Sequence, residues 1–110
     1  MVVDLERDLV DECRVMARAM NAVLLEVGQK NAKRSGTTVG YPDLTLVCAG
    51  HVVLMELKRP KTAEHPQGYV SLGQQAVIDR CREQGVNVPV LYCAEQFIEI
   101  VNACRRGRPK

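Results

Sequence analysis

The sequence lacks several features that would place it in other classes of protein. No apolar run approaches the roughly 20 residues of a membrane span. The N-terminus is acidic and amphipathic, which is not the pattern of a signal peptide. Net charge is only +2, so any nucleic-acid surface must come from local clustering of cations. We expect a cytoplasmic protein, bacterial or phage-encoded, with no membrane partner and no organic cofactor.

The cysteines lack the spacing of a zinc site. They are five in number, an odd count, and no pair has CxxC spacing. Neither His51 nor His65 lies near two of them in the sequence, which disfavours zinc. Buried free thiols in a reducing cytosol explain them more simply.

Length and composition indicate one small globular domain. The chain has 110 residues, with 46% hydrophobic and 25% charged residues, which is ordinary for a soluble protein with a modest core. We assign residues 1–104 to a single domain. Residues 105–110 read as a basic tail, expected to be disordered.

The most informative stretch lies in the middle of the chain. Two apolar runs, 44–48 and 52–57, flank a short turn that contains glycine, which predicts a β-hairpin. Both faces of the second run begin apolar. We therefore expect this strand to be buried on both sides, in a sheet covered by helices.

Charged residues stand at one end of this hairpin. Glu56 and Lys58 share a strand face because side chains alternate, and Asp43 lies beside them at the start of the preceding strand. Buried charges are costly unless they are paired or bind something. Carboxylates, water and phosphate oxygens are the ligands that Mg²⁺ commonly takes. The alternative is an ordinary strand-end ion pair between Glu56 and Lys58.

Periodicity predicts the elements around the hairpin. A helix over about 3–20 and a strand over 22–27 precede it. Ser71 caps a helix that runs to about residue 84. A strand over 86–93 and a helix over 94–104 follow. The order is α-β-β-β-α-β-α, an α/β fold whose mixed central sheet is flanked by helices.

These residues carry a resemblance to a known family. The motifs occur in one order along the chain: Gly40-x-Pro42-Asp43-Leu44, Glu56-Leu57-Lys58, Ser71-x-x-Gln74 and Gly85. Pro42-Asp43 with Glu56-Leu57-Lys58 resembles the PD-(D/E)xK nuclease signature. The whole set, over about residues 6–101, is similar to the virus-type replication-repair nuclease (VRR-NUC) family. The PD-(D/E)xK core has the order αβββαβ, which the first six predicted elements follow.

The resemblance implies roles for the residues of the site. Asp43 and Glu56 would be metal ligands, with the Leu57 carbonyl as a third, for Mg²⁺ or its substitute Mn²⁺. Lys58 would lie beside the attacking water and a phosphate oxygen. Family spacing selects Gln74, whose amide could orient the water, bind phosphate or support Lys58.

The family also carries a glutamate on the first helix, which could hold a metal-bound water. The spacing matches Glu6 better, with Glu12 second. At about 100° per residue, both fall on flanks of the apolar stripe of that helix. A solvated helix flank is the alternative for each.

Two polar segments border the predicted site. Residues 28–40 are basic and lead directly to Asp43, and residues 59–69 contain two prolines and a glycine and should form one wall. His65 in that wall is a candidate base, although a lone loop histidine is more often a surface residue. The candidate DNA contacts, taken as phosphate contacts, are Lys30, Lys33, Arg34, Arg59 and Lys61.

The expected function is that of a metal-dependent DNA endonuclease. Stand-alone members of the family resemble Holliday-junction resolvases, so branched DNA such as a four-way junction is the favoured substrate. The alternatives are a flap- or end-directed or restriction-type nuclease, and a catalytically silent DNA-binding module. Two symmetric cuts need two sites, so we expect a homodimer. Its candidate patch is Phe97, Ile98 and Val101 with strand 88–92, which Pro89 indicates as an edge.

Overall fold

The computed structural model describes residues 5–26 and 40–107. The elements, renumbered in chain order, are α1 (Leu5–Ala19), β1 (Val23–Glu26), β2 (Leu44–Cys48), β3 (His51–Leu57), α2 (Leu72–Glu83), β4 (Val90–Leu91) and α3 (Ala94–Arg105). The strands form one sheet in the order β1-β2-β3-β4. The first two pairings are antiparallel and the last is parallel. The predicted α-β-β-β-α-β-α order and the mixed sheet are confirmed.

The main core lies between one face of the sheet and helices α1 and α3. Every second side chain of β2 and β3 points into it, because side chains alternate along a strand. Helix α1 adds Leu9, Cys13 and Ala17 at helical spacing. The core cluster consists of Leu9, Val10, Cys13, Ala17, Leu44, Leu46, Cys48, Val53, Met55, Leu57, Leu91, Phe97, Ile100, Val101 and Cys104.

The opposite face of the sheet is buried at one end and exposed at the other, in the described part of the chain. Val52 is 67% exposed, whereas Glu56, on the same face of β3, is completely buried. The expectation that β3 is buried on both sides is therefore wrong for its first half. The cause is the position of α2, which contacts this face at Glu56 through Gln74.

Strand β4 is shorter than the predicted strand over 86–93. It pairs with only two residues of β3, Glu56 and Leu57. Pro89 comes just before it, and its carbonyl accepts the Glu56 N–H at 3.0 Å. A residue without an N–H suits the start of an edge strand, as expected from the sequence. The pairing fixes the backbone of Glu56 between β2 and β4.

Ion pairs hold helix α1 against the edge strand β1. Arg7 donates to Glu26 at 2.6 Å, and Arg14 pairs with the same carboxylate. The hydrogen bond from Arg7, with a further one from Arg14, lowers the pKa of Glu26 although partial burial opposes this. These contacts fix the helix turn that carries Glu6 relative to the sheet.

One prediction about burial needs correction. Cys81 and Cys93 are half-exposed, while the other three cysteines are buried. In α3, Ile100 faces the core and Ile98 is only partly buried. None of the helices in residues 5–26 and 40–107 is long and apolar enough to cross a membrane.

Candidate metal centre

Three elements bring Asp43, Glu56 and Gln74 together. Asp43 directly precedes β2, Glu56 is the next-to-last residue of β3, and Gln74 lies in the first turn of α2. The hairpin register pairs Leu44 with Met55, which places Asp43 level with Glu56. Asp43 Oδ2 also accepts the Leu57 N–H at 3.4 Å. The predicted convergence of the two carboxylates is therefore present in the structure.

Among the described residues, Glu56 is the one with a polar or charged side chain that is buried. Its Oε2 accepts a hydrogen bond from Gln74 Nε2 at 3.2 Å. Its Oε1 is buried and has no hydrogen-bond partner among the described residues. A buried acceptor without a donor costs about 1–3 kcal/mol, and more when it is charged. Such an atom indicates that a proton or a cation belongs beside it.

The surroundings of Glu56 oppose its ionisation. The pKa of its carboxyl is raised to about 9, chiefly by burial and next by the hydrogen bond that the protonated carboxyl donates to Asp43 and by the negative charge of Asp43. The positive charge of Lys58 acts in the opposite direction, and Glu6 adds a small upward contribution. Without a cation, Glu56 therefore keeps its proton at neutral pH and can share it with Asp43. A divalent cation would replace that proton.

The donor set fits Mg²⁺ better than a transition metal held by side chains alone. No group of three or more His, Cys, Asp or Glu side chains within residues 5–26 and 40–107 could hold a metal ion. Mg²⁺ is commonly bound by one or two carboxylates while it keeps several waters or phosphate oxygens. Asp43 and Glu56 meet that requirement. The role of the Leu57 carbonyl stays a prediction.

Gln74 connects Glu56 to the start of α2. Its backbone N–H donates to Ser71 Oγ at 3.1 Å, and its Oε1 accepts the Ser71 N–H at 3.0 Å. These two bonds form a capping box. Because Gln74 Nε2 also donates to Glu56, both the oxygen and the nitrogen of the Gln74 amide are hydrogen-bonded. Gln74 therefore positions the Glu56 carboxyl, a role that the sequence alone did not indicate.

A close approach of two glycines fixes this helix start. Gly40 has φ of +85°, a left-handed conformation that favours glycine. A Cβ at Gly40 would lie 2.4 Å from the carbonyl oxygen of Gly73 and 2.9 Å from the Gln74 nitrogen. The turn before Asp43 therefore packs directly on the first turn of α2.

Lys58 and the loop after it form one side of the site. Lys58 follows β3 and is half-buried, and its N–H donates to the Leu91 carbonyl at 2.9 Å. Arg59 is engaged within the loop, because its Nε donates to the Pro66 carbonyl at 3.0 Å. Lys61 and His65 are exposed. A Cβ at Gly68 would lie 3.4 Å from the Lys58 Cβ, so the loop packs beside Lys58.

The remaining predicted residues are the two helix glutamates and the cations of residues 28–40. Glu6 is partly buried, and its charge acts on Glu56. Glu12 is exposed and lines a different surface, which it shares with Val15 and Met16. Between these two glutamates, Glu6 is the one whose charge acts on Glu56, and its role at the site stays a prediction. Lys30, Lys33 and Arg34 lie outside the described residues.

Comparison with known proteins identifies the fold. No protein-family model and no curated protein matches the chain. A solved structure described as "VRR_NUC domain" is 20% identical, has a TM-score of 0.64, and covers 91% of this chain and 97% of its own. A second, "VRR_NUC domain protein", is 16% identical with a TM-score of 0.67, covering 99% and 94%. The chain has the fold of a VRR-NUC domain, as the resemblance implied.

Proposed function

We propose that this chain, whose fold is that of a VRR-NUC domain, is a Mg²⁺-dependent DNA nuclease that hydrolyses phosphodiester bonds at Asp43 and Glu56. One observation carries the proposal: Glu56 is completely buried between Asp43 and Gln74, and its Oε1 has no donor among the described residues. A fold tolerates such an atom when a ligand completes it. A purely structural glutamate would be paired on both oxygens.

Each residue of the centre has a defined task in this reaction. Asp43 and Glu56 would hold the cation, with the Leu57 carbonyl as a further ligand. The chemistry that Mg²⁺ supplies when bound is a nucleophile made from water and neutralisation of phosphate charge. Lys58, on the same strand face as Glu56, stabilises the extra negative charge of the transition state. Glu6 holds a water beside the carboxylates.

The substrate that we propose is branched DNA, with a four-way junction as the first candidate. Phosphate contacts position a protein without reading sequence, and the candidates here are Lys61, Arg59 and the undescribed Lys30, Lys33 and Arg34. A homodimer would place two such centres on one junction and make paired cuts. A single centre is suited to nicking flaps or ends.

Conservative replacements of the two carboxylates test the proposal. Asp43→Asn and Glu56→Gln should each reduce cleavage by at least about 10³-fold while DNA binding is kept, because the metal site is lost and the cationic contacts are not. Exposed Glu99 on α3 gives a matched control, and Glu99→Gln should cut normally. Cleavage is measured with Mg²⁺ and Mn²⁺ on linear, flap and four-way DNA, and Mn²⁺ binding by calorimetry.

Two results would count against the proposal. Full activity in excess EDTA would exclude the metal mechanism. Normal cleavage by both carboxylate variants would place the reaction elsewhere. If the wild type binds DNA but cuts no member of the panel with either metal, the chain is a DNA-binding module of this fold.

A further inference from the structure

An apolar groove of about 460 Å³ opens beside the candidate metal centre. It lies between α2 and the end of the sheet face that α2 contacts. Its lining includes Tyr41, Leu54, Val77 and Val86, together with Cys81 and the polar residues Arg80, Glu83 and Gln84. Its volume is in the range of sites that take one small organic group. No residue of the carboxylate centre lines it.

The groove is a continuation of the metal centre along the same three segments. Tyr41 and Leu54 each precede a candidate metal ligand by two residues, and Val77 follows Gln74 by one helical turn. Two residues of a strand span about 7 Å. This corresponds to one or two steps along a nucleic-acid strand, whose phosphates are about 3.4 Å apart along a duplex axis. A DNA strand that is cut at the metal centre would therefore place a neighbouring nucleotide beside the groove.

The charged residues around the groove indicate where a phosphate could bind and where a base could bind. Val77, Arg80 and Gln84 lie on one side of α2, so the groove extends about 10 Å along the helix. Exposed Arg80 stands partway along and can meet a backbone phosphate. Glu83 lies near the far end, where its carboxylate would repel a phosphate. The apolar wall and the Tyr41 ring suit the flat face of a base instead.

We infer that this groove receives one unstacked nucleobase of the DNA strand, next to the phosphodiester that is cut. Tyr41 provides the aromatic surface and Arg80 the phosphate contact. This rests on the proposed nuclease function and deepens it. Stacking on an aromatic ring is tolerant of sequence because every base has a π-face. Intact duplex DNA would have to unstack a base, whereas a branch point or single strand offers one at lower cost. The groove thus selects branched DNA by structure, without reading sequence.

Abasic substitution in the DNA tests the inference directly. Nucleotides on either side of the branch point in a flap substrate are replaced one at a time by an abasic residue. Binding is measured with the Asp43→Asn protein, which cannot cut, and cleavage with the wild type. One position should lose about 5- to 100-fold in affinity, the scale of one base–aromatic stack. The other positions should change less than about 2-fold.

Variants of the groove then identify where that base binds. In the same Asp43→Asn background, Tyr41→Ala should cause the same loss on intact DNA and no further loss on the sensitive abasic DNA, because both changes remove one interaction. Tyr41→Phe keeps the ring and should restore binding. Val15 on α1 is 61% exposed and does not line the groove, so Val15→Ala is the control. Val77→Phe fills the groove while Tyr41 stays, and should weaken binding of intact DNA alone.

The outcomes separate the groove from the nuclease proposal. Equal effects at every abasic position, or additive effects of Tyr41→Ala and the abasic site, would overturn the groove even if cleavage is normal. A position-specific, Tyr41-dependent loss of binding in a protein that cuts nothing would support the groove and overturn the nuclease. A protein that binds none of the DNA substrates overturns both.

Discussion

The Glu56 side chain is completely buried, and one of its carboxylate oxygens has no hydrogen-bond donor among the described residues. In the metal-free protein, a proton must take the place that a cation would hold. The pKa of Glu56 therefore lies far above the ordinary value of a glutamate. Burial is the main cause and Asp43 is the second. The same group therefore gives the metal-free protein a dependence on pH.

The metal-free protein should lose stability as pH rises. The pKa of Glu56 is raised from 4.5 to about 9, so between these values the native state holds a proton that the unfolded state does not. The free energy of unfolding then falls with increasing pH through this window. Urea denaturation in EDTA between about pH 5.5 and 8.5 measures it.

Replacement of Glu56 provides the comparison. Glu56→Gln cannot ionise, so its stability should be nearly independent of pH over this range and should exceed that of the wild type at the alkaline end. Glu99→Gln, at an exposed site, should keep the wild-type slope. The same slope in all three proteins would show that Glu56 is already ionised without metal.

Residue types and spacing could predict Asp43, Glu56 and Lys58, because a hairpin of known register brings fixed positions level with one another. The role of Gln74 could not be predicted this way. Its contacts depend on side-chain torsions that let one amide cap α2 and reach Glu56 at once. The Tyr41 groove was also missed, since it forms only where α2 meets the sheet.

Helix α2 is the element on which the site depends, and the Gly40–Gly73 approach sets its position. A Cβ at Gly40 would meet the Gly73 carbonyl oxygen at 2.4 Å, and that atom is backbone that cannot rotate away. Gly50 has nearly the same backbone, with φ of +82°, but a Cβ there meets nothing within 4 Å. Comparing substitutions at the two glycines therefore separates the effect of backbone strain from that of steric contact.

Gly50→Ala should cost about 1–2 kcal/mol, the strain of a left-handed residue, and leave cleavage unchanged. Gly40→Ala carries the same strain and must also displace the start of α2 with Gln74. It should cost more stability and weaken Mn²⁺ binding. Denaturation and calorimetry on both proteins measure the two effects. Equal losses of stability with normal Mn²⁺ binding in both would mean that the contact at Gly40 does not position the site.

Elements were predictable where they carry a strong pattern, and less so where tertiary contacts decide. Helix α1 and the hairpin follow from apolar periodicity. Strand β4 was predicted over 86–93 but is two residues long, because only the end of β3 is available to pair with it. The exposure of Val52 followed from where a short α2 lies, which no periodicity in β3 encodes.

The sheet face beyond α2 is the feature of the whole molecule that bears on assembly. Val23, Val47 and Val52 lie level with one another across three strands, and Leu25 lies beside them. All four are exposed, at 53%, 36%, 67% and 52% respectively. The predicted dimer patch on α3 is wrong, since Phe97 is fully buried in the chain's own core.

A second copy of this chain is the partner that suits this four-residue face. The face carries no charge, so a two-fold axis through it juxtaposes apolar side chains and no like charges. The carboxylate centre lies at the far end of β3 from Val52. A two-fold axis near Val52 would therefore leave both centres open, one on each side of the interface, as paired cuts on a junction require.

The chain should accordingly form a homodimer in solution through this face, with a mass near twice its 12.2 kDa by light scattering at micromolar concentration. Val52→Glu would bury two carboxylates against each other and should give a monomer. Val15 on α1 is similarly exposed, at 61%, and Val15→Glu should stay dimeric. The Val52→Glu monomer should still nick flaps but lose paired cuts on a four-way junction. A wild type that is monomeric at these concentrations, or a Val52→Glu protein that stays dimeric, would exclude this interface.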